Sequence, residues 1–298
     1  MVDEPIYKPL TSILVKPAGP DCNLRCEYCF YLEKATLFQD SPKHRMELHL
    51  LEEMIRQCMN QGDQRISFGW QGGEPTLMGL DFFEKAVECQ KRFGLNQIVG
   101  NGLQTNGILI DAAWTRFLSQ YQFLVGLSLD GPEPIHDRYR RRLNGHGTWA
   151  RVRNSARRML DAGVAVNALV VLNDYSVRFP EEIYGFHKDL GLTYMQFIPV
   201  VRGSASGGFG SPFAVTPEQY GTFLCAVFDL WIGDFDQGIP TTSIRYFDAV
   251  FHAYVGMPPP ECTLLRECGT YVVVEHNGDV YACDFFVTPE WKLGNILR

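Results

Sequence analysis

Apolar and polar positions follow two rhythms along the chain. Short apolar runs fall at residues 12–16, 65–70, 97–104, 123–129, 164–172 and 194–200. They are rich in Val, Ile, Leu and Phe and lack a strict two-residue alternation, which predicts strands of a parallel sheet covered on both faces. Between or after them come amphipathic stretches at 48–61, 79–93, 111–119, 148–162, 180–190 and 217–234, read as helices. Strand and helix in turn make βαβ units. Six units in about 220 residues fall short of the about 250 typical of an eight-unit barrel, so the pattern predicts an α/β fold built as an open, partial (β/α)6 TIM-like barrel. Chemistry in such a fold sits at the C-terminal ends of the strands.

The rhythm changes after Gly238. GMPPP at 256–260 breaks regular structure, and TYVVVEHNGDVYACDFFV at 270–287 reads as a β-hairpin with a tight turn at Asn277–Gly278. The expected division is a barrel over 1–238 and a small C-terminal unit over 239–298.

With 298 residues, 46% of them hydrophobic, the chain can bury a sizeable core. No apolar run approaches the roughly 20 residues that cross a bilayer. The N-terminus, MVDEPIYKPL, lacks the basic and apolar regions of a secretory signal, so a cytoplasmic protein without membrane partners is expected. A net charge of −7 argues against general nucleic-acid binding. The local exception is RYRRR at 138–142, either a solvated turn or an anion site.

Composition matters most through the nine cysteines, at 22, 26, 29, 58, 89, 225, 262, 268 and 283. Clustered cysteines in a reducing compartment point to metal or redox work. Cys58, Cys89 and Cys225 stand alone in helix-like stretches and read as packing residues. Cys22, Cys26 and Cys29 share the run CNLRCEYC just past the first strand. Zinc would ask for four ligands, commonly in two pairs. A cubane iron–sulfur cluster held by three thiolates keeps one iron open to a non-protein ligand. QGGEPT (71–76), LQTNG (103–107) and LSLDGP (127–132) follow the next three strands, so polar groups gather at successive strand ends.

CNLRCEYCFY resembles the CxxxCxxC motif of the radical SAM enzymes. The resemblance implies that Cys22, Cys26 and Cys29 bind a [4Fe–4S] cluster whose open iron is chelated by S-adenosylmethionine (SAM). It places Tyr28 beside the adenine and makes Gly72, Gly73 and Glu74 the motif that holds the methionyl amino group. By the same resemblance Ser128 contacts SAM, Arg140 meets its carboxylate, and Val201 supplies a contact from the end of the sixth strand.

Cys262, Cys268 and Cys283 bracket the hairpin, and this run resembles the start of the SPASM extension, which binds auxiliary [4Fe–4S] clusters. VKPAGPDCNLRCEYCFYLEK, FGWQGGEPTLMGLDFFE, SIRYFDAVF and VYACDFFVTPEWKLGNI together resemble anaerobic sulfatase-maturating enzymes. That implies oxidation of a Cys or Ser side chain in a sulfatase polypeptide to Cα-formylglycine, with Asp284 as proton acceptor and Tyr31 walling the peptide or SAM. It also implies an electron donor such as flavodoxin or ferredoxin.

One departure stands out. The family's SPASM region continues with further cysteines, whereas this sequence has none after Cys283. The expectation is a fragment that cleaves SAM but turns over peptide poorly. Two other readings stay open: another SPASM-type peptide maturase forming thioethers or crosslinks, and a non-catalytic metal-binding module.

Overall fold

A computed structural model describes residues 10–39, 42–200 and 211–298. Six parallel strands form the expected (β/α)6 frame: β1 (Leu10–Lys16), β2 (Gly62–Trp70), β3 (Ile98–Thr105), β4 (Leu124–Ser128), β5 (Ala165–Leu172) and β6 (Tyr194–Pro199). The main crossover helices are α1 (Leu48–Gln61), α2 (Leu80–Phe93), α3 (Ala112–Gln120), α5 (Trp149–Asp161) and α6 (Pro180–Leu190), and α7 (Pro217–Gly233) follows β6. A short α4 (Glu133–Tyr139) lies in the connection after β4, inside a stretch too brief to show helical periodicity.

Local chemistry sets the helix ends. The Asp111 carboxylate accepts from the Ala113 and Trp114 amides at the start of α3. Thr216 and Gln219 form a capping box ahead of Pro217 on α7. α6 stops at Gly191, whose φ of 89° is the left-handed conformation glycine adopts freely.

The strands are not covered on both faces. Burial alternates along each strand, with Ile13, Val15, Phe68, Trp70 and Leu103 pointing into the helix layer. Register pairs the other set across the sheet: Ser12 with Ser67, Gly69 with Gly102, Gln104 with Gly126, and Gly126 with Asn167. These residues stay partly or fully accessible, so the face away from the helices is lined by small and polar groups.

On the covered face, Trp70 lies edge-on to Phe83 at 5.5 Å, and Phe83 reaches Trp114 at 5.2 Å. The Trp70 indole N–H donates to Asn101 Oδ1, and Asn101 exchanges amide hydrogen bonds with Gln90, so these three side chains pair their polar atoms with one another. Cys58 and Cys89 are buried as expected. Cys225 is not: it lies exposed on α7, whose buried side is carried by Phe223, Leu224 and Val227.

The hairpin forms from β8 (Val272–Glu275) and β9 (Asp279–Tyr281), with Gly278 at φ +84° in the turn. It joins the barrel sheet directly, because β8 pairs in parallel with β1. β10 (Lys292–Asn295) adds an antiparallel third strand, and at the other edge β7 (Ser243–Ile244) pairs with β6 and leads into α8 (Arg245–Tyr254). One ten-stranded sheet results, in the order β10-β9-β8-β1-β2-β3-β4-β5-β6-β7. Phe83→Ala should lower folding stability by about 3–5 kcal/mol, read as a shift in urea midpoint, because the fully buried ring touches both Trp70 and Trp114.

Candidate functional site

The cysteine loop leaves β1 through a turn in which the Gly19 amide donates to the Lys16 carbonyl. It then runs against the loop after β2. The Gly73 amide donates to Gly19 O at 2.8 Å, and the Glu74 amide to Asp21 O at 2.8 Å. A Cβ on Gly73 would stand 2.0 Å from Asp21 O, so only glycine permits this approach.

Glu74 is 1% exposed, and its carboxylate is committed within the protein. It accepts from the Thr76 amide (3.1 Å), the Thr76 hydroxyl (2.6 Å), the Thr105 hydroxyl (2.7 Å) and the Asn106 amide (2.8 Å). Burial pushes its pKa up while these donors pull against it. The Asn106 side-chain amide in turn faces Cys22 Sγ at 3.7 Å and donates to Asn23 at 2.7 Å. Glu74 and Asn106 therefore tie the loops after β1, β2 and β3 together.

On the other side, segment 24–27 lies along 139–142, with Arg25 N donating to Arg141 O and Glu27 N to Tyr139 O. Arg140 is buried; its Nη1 lies 3.9 Å from Cys26 Sγ and its Nε donates to Asp130 at 2.9 Å. Asp130 also accepts from the Tyr28 hydroxyl and the Val171 amide. The Arg140 guanidinium lies 5.4 Å over the Tyr28 ring. Ser128 sits at the end of β4 on the accessible face, opposite Leu169. Burial pushes the thiols up, Cys22 to about 12 and Cys26 to about 11. Cys22 lies within electrostatic reach of Cys26 and Cys29, and Cys26 within reach of Cys29. Val201 lies outside the described residues.

In the second cysteine group, Cys283 lies beside Tyr271, just ahead of β8, whose Val272 pairs with Ile13 of β1. Phe30, next to Cys29, stacks on Phe285, next to Asp284, with ring centroids 5.4 Å apart. Asp284 Oδ1 accepts from the Tyr271 hydroxyl at 2.7 Å, and that hydroxyl lies 3.6 Å from Cys283 Sγ. Cys262 is within electrostatic reach of Cys283, Asp284 and Cys268. Tyr31 is buried and its hydroxyl donates to the Glu275 carboxylate of β8.

The Radical SAM superfamily profile matches residues 17–186. The serine-type anaerobic sulfatase-maturating enzyme of Bacteroides thetaiotaomicron is 39% identical over 98% of this chain and 73% of its own length. The cysteine-type enzyme of Clostridium perfringens (strain 13 / Type A) is 38% identical over 97% of this chain and 78% of its own. The chain belongs to the anaerobic sulfatase-maturating enzymes of the radical SAM superfamily. A solved structure of native anSMEcpe with bound AdoMet and Cp18Cys peptide superposes with a TM-score of 0.86, at 37% identity, covering 97% of this chain and 78% of that one.

As a radical SAM protein, the maturating enzyme takes SAM and a [4Fe–4S] cluster as cofactors. The residues fit that donor chemistry. Cys22 Sγ accepts from the Leu24 amide at 3.4 Å and faces Asn106, and Cys26 faces Arg140, so these sulfurs meet groups suited to thiolates. Among the described residues no three His, Cys, Asp or Glu side chains converge on a point where one metal ion would sit. A cubane asks for less convergence, since each thiolate binds a different iron. No helix among the described residues is long and apolar enough to cross a membrane.

Sequence reasoning passed over several members of the site in the maturating enzyme. Asp130 stands two residues after Ser128, inside the LSLDGP run, and its position after a strand was the available signal. Lys16, Glu275 and Tyr271 carried none: each acquires its neighbours only when β8 docks on β1.

His136 underpins the Asp130–Arg140 pair. Its Nδ1 accepts from the Asp130 amide at 3.2 Å, and Nε2 lies 3.0 Å from the Thr148 hydroxyl. Burial lowers its pKa to about 4. Since the unfolded value is near 6.5, the unfolded state binds the extra proton between the two values. Stability from the neutral ring is therefore present above pH 6.5 and lost as pH falls towards 4. Between pH 7 and 5 the loss is about 2 kcal/mol. His136→Gln should shrink the pH-dependent change in urea midpoint by that amount.

Proposed function

We propose that this protein oxidises a Cys or Ser side chain of a sulfatase polypeptide to Cα-formylglycine, in the cytoplasm, drawing electrons from a carrier such as flavodoxin or ferredoxin. The observation that carries the reading is the Phe30–Phe285 stack, which ties the segment just after Cys283 and Asp284 to the segment just after Cys29. Cys22, Cys26 and Cys29 hold the first cluster. When bound, cluster and SAM together supply a 5′-deoxyadenosyl radical that takes a hydrogen atom from the target Cβ.

The chain's own residues do the rest. Gly72, Gly73 and Glu74 form the motif that would hold the methionyl amino group of SAM, and the buried Glu74 also ties the loops after β2 and β3 together. Tyr28, Ser128 and Arg140 line the SAM site, with Arg140 locked by Asp130. Tyr31 walls the substrate side. Asp284, oriented by Tyr271, accepts the proton of the target thiol or hydroxyl. Residues 239–298 form a SPASM-type region in which Cys262, Cys268 and Cys283 would hold an auxiliary [4Fe–4S] cluster, which would supply an electron acceptor.

Both serine-type and cysteine-type relatives match this chain closely, so the reading covers both targets. In an anaerobic assay with reductant, SAM and a Cys-x-Pro-x-Arg peptide, the protein should form 5′-deoxyadenosine readily and formylglycine slowly, the poor peptide turnover expected from the sequence. Asp284→Asn should keep 5′-deoxyadenosine formation and slow peptide oxidation by about 10²–10⁴-fold. Undiminished oxidation by the variant would remove Asp284 from its role. A wild-type protein that cleaves SAM and leaves both Cys and Ser peptides unchanged would overturn the substrate assignment.

A further inference from the structure

Lys16 ends β1 at 1% exposure, on the strand face opposite the helix layer. Its Cα partner across the sheet is Glu275. The ammonium sits 3.9 Å from the centroid of the Tyr31 ring, and no hydrogen bond or ion pair to it is seen among the described residues. Glu275 has one carboxylate oxygen on the Tyr31 hydroxyl and the other without a hydrogen-bond partner. The charged and titratable groups that act on Lys16 are Asp284, Glu275, Lys34 and Cys29. Burial pulls its pKa down, and the two carboxylates oppose that shift.

A buried ammonium is expensive unless negative groups surround it. Here a ring face and two carboxylates supply that potential. Buried ionic clusters add little net folding stability. The consequence of this cluster lies in what it aligns: Lys16 touches the Tyr31 ring, Glu275 holds the Tyr31 hydroxyl, and Asp284 is the third charged member.

We propose that Lys16 is a positioning residue for peptide oxidation, its buried side chain fixing the Tyr31 ring and the neighbouring Asp284 carboxylate in the geometry that proton removal requires. The inference rests on the functional reading above and goes beyond it by assigning the Lys16 ammonium to oxidation of the peptide, while the Lys16 backbone and Cβ lie beside Gly72.

The test compares the cluster-loaded full chain with Lys16→Met and Lys16→Gln, two neutral replacements of different shape, and with Lys16→Arg, which keeps the charge. Three quantities are read: 5′-deoxyadenosine, formylglycine, and the affinity of a labelled peptide for the unreduced protein. Both neutral variants should bind peptide and release 5′-deoxyadenosine within about threefold of wild type, while formylglycine per deoxyadenosine falls about 10- to 100-fold. Lys16→Arg should recover part of that ratio. A wild-type ratio in both neutral variants overturns the proposal. So does a parallel fall of both products, or loss of the cluster, since either makes Lys16 a packing residue. A wild-type protein that never oxidises the peptide refutes the functional reading instead.

Discussion

The close approach of the Gly73 and Asp21 backbones governs how the site is put together. With Asp21 O occupying the place a Cβ at position 73 would need, the loops after β1 and β2 can share hydrogen bonds through Gly73 and Glu74. Glu74 then becomes a buried hub whose donors come from its own loop and the one after β3. Three of these donors meet Oε1 and one meets Oε2, so the carboxylate keeps an acceptor position on Oε2. Glu74 thus acts first as a clamp on the cysteine loop.

A second constraint comes from the other end of the chain. Parallel pairing of β8 with β1 places Glu275 beside Lys16 and carries residues 283–285 to the cysteine loop. The hairpin is thereby an extra pair of barrel strands as much as the opening of another unit. Phe30 and Phe285, separated by over two hundred positions in sequence, thereby meet beside one sheet.

The strands and crossover helices of the frame were legible because each carries its own periodicity, as in β5 or α1. The short α4 was not, and neither was β10, whose LGN segment has no apolar alternation. α8 escaped notice because part of its apolar content stays exposed, including Phe251 and Tyr254. Strand composition misled on coverage: Val and Leu report the helix-facing half, while Gly69, Gly102 and Gly126 mark the open half. At the site, the cysteines, glycines and Arg140 could be read from motifs. The bonds among Glu74, Thr105 and Asn106 could not, since they join three loops that only tertiary folding brings together. Cys225 shows the same limit in reverse, because a residue in an apolar stretch can still fall on the outer side of its helix.

The open face of the sheet has a consequence for how such a protein can change. Its serines, glycines and amides bury little apolar area, so they contribute little to holding the chain folded. Exchanging them alters the shape and polarity of the space between the strands while the helix-side core stays as it is. Adaptation to a new polypeptide segment can thus proceed there at small cost to foldedness. Position 73 and the buried clamp beneath it leave no comparable room, so the two halves of the molecule differ in how freely their sequences can drift.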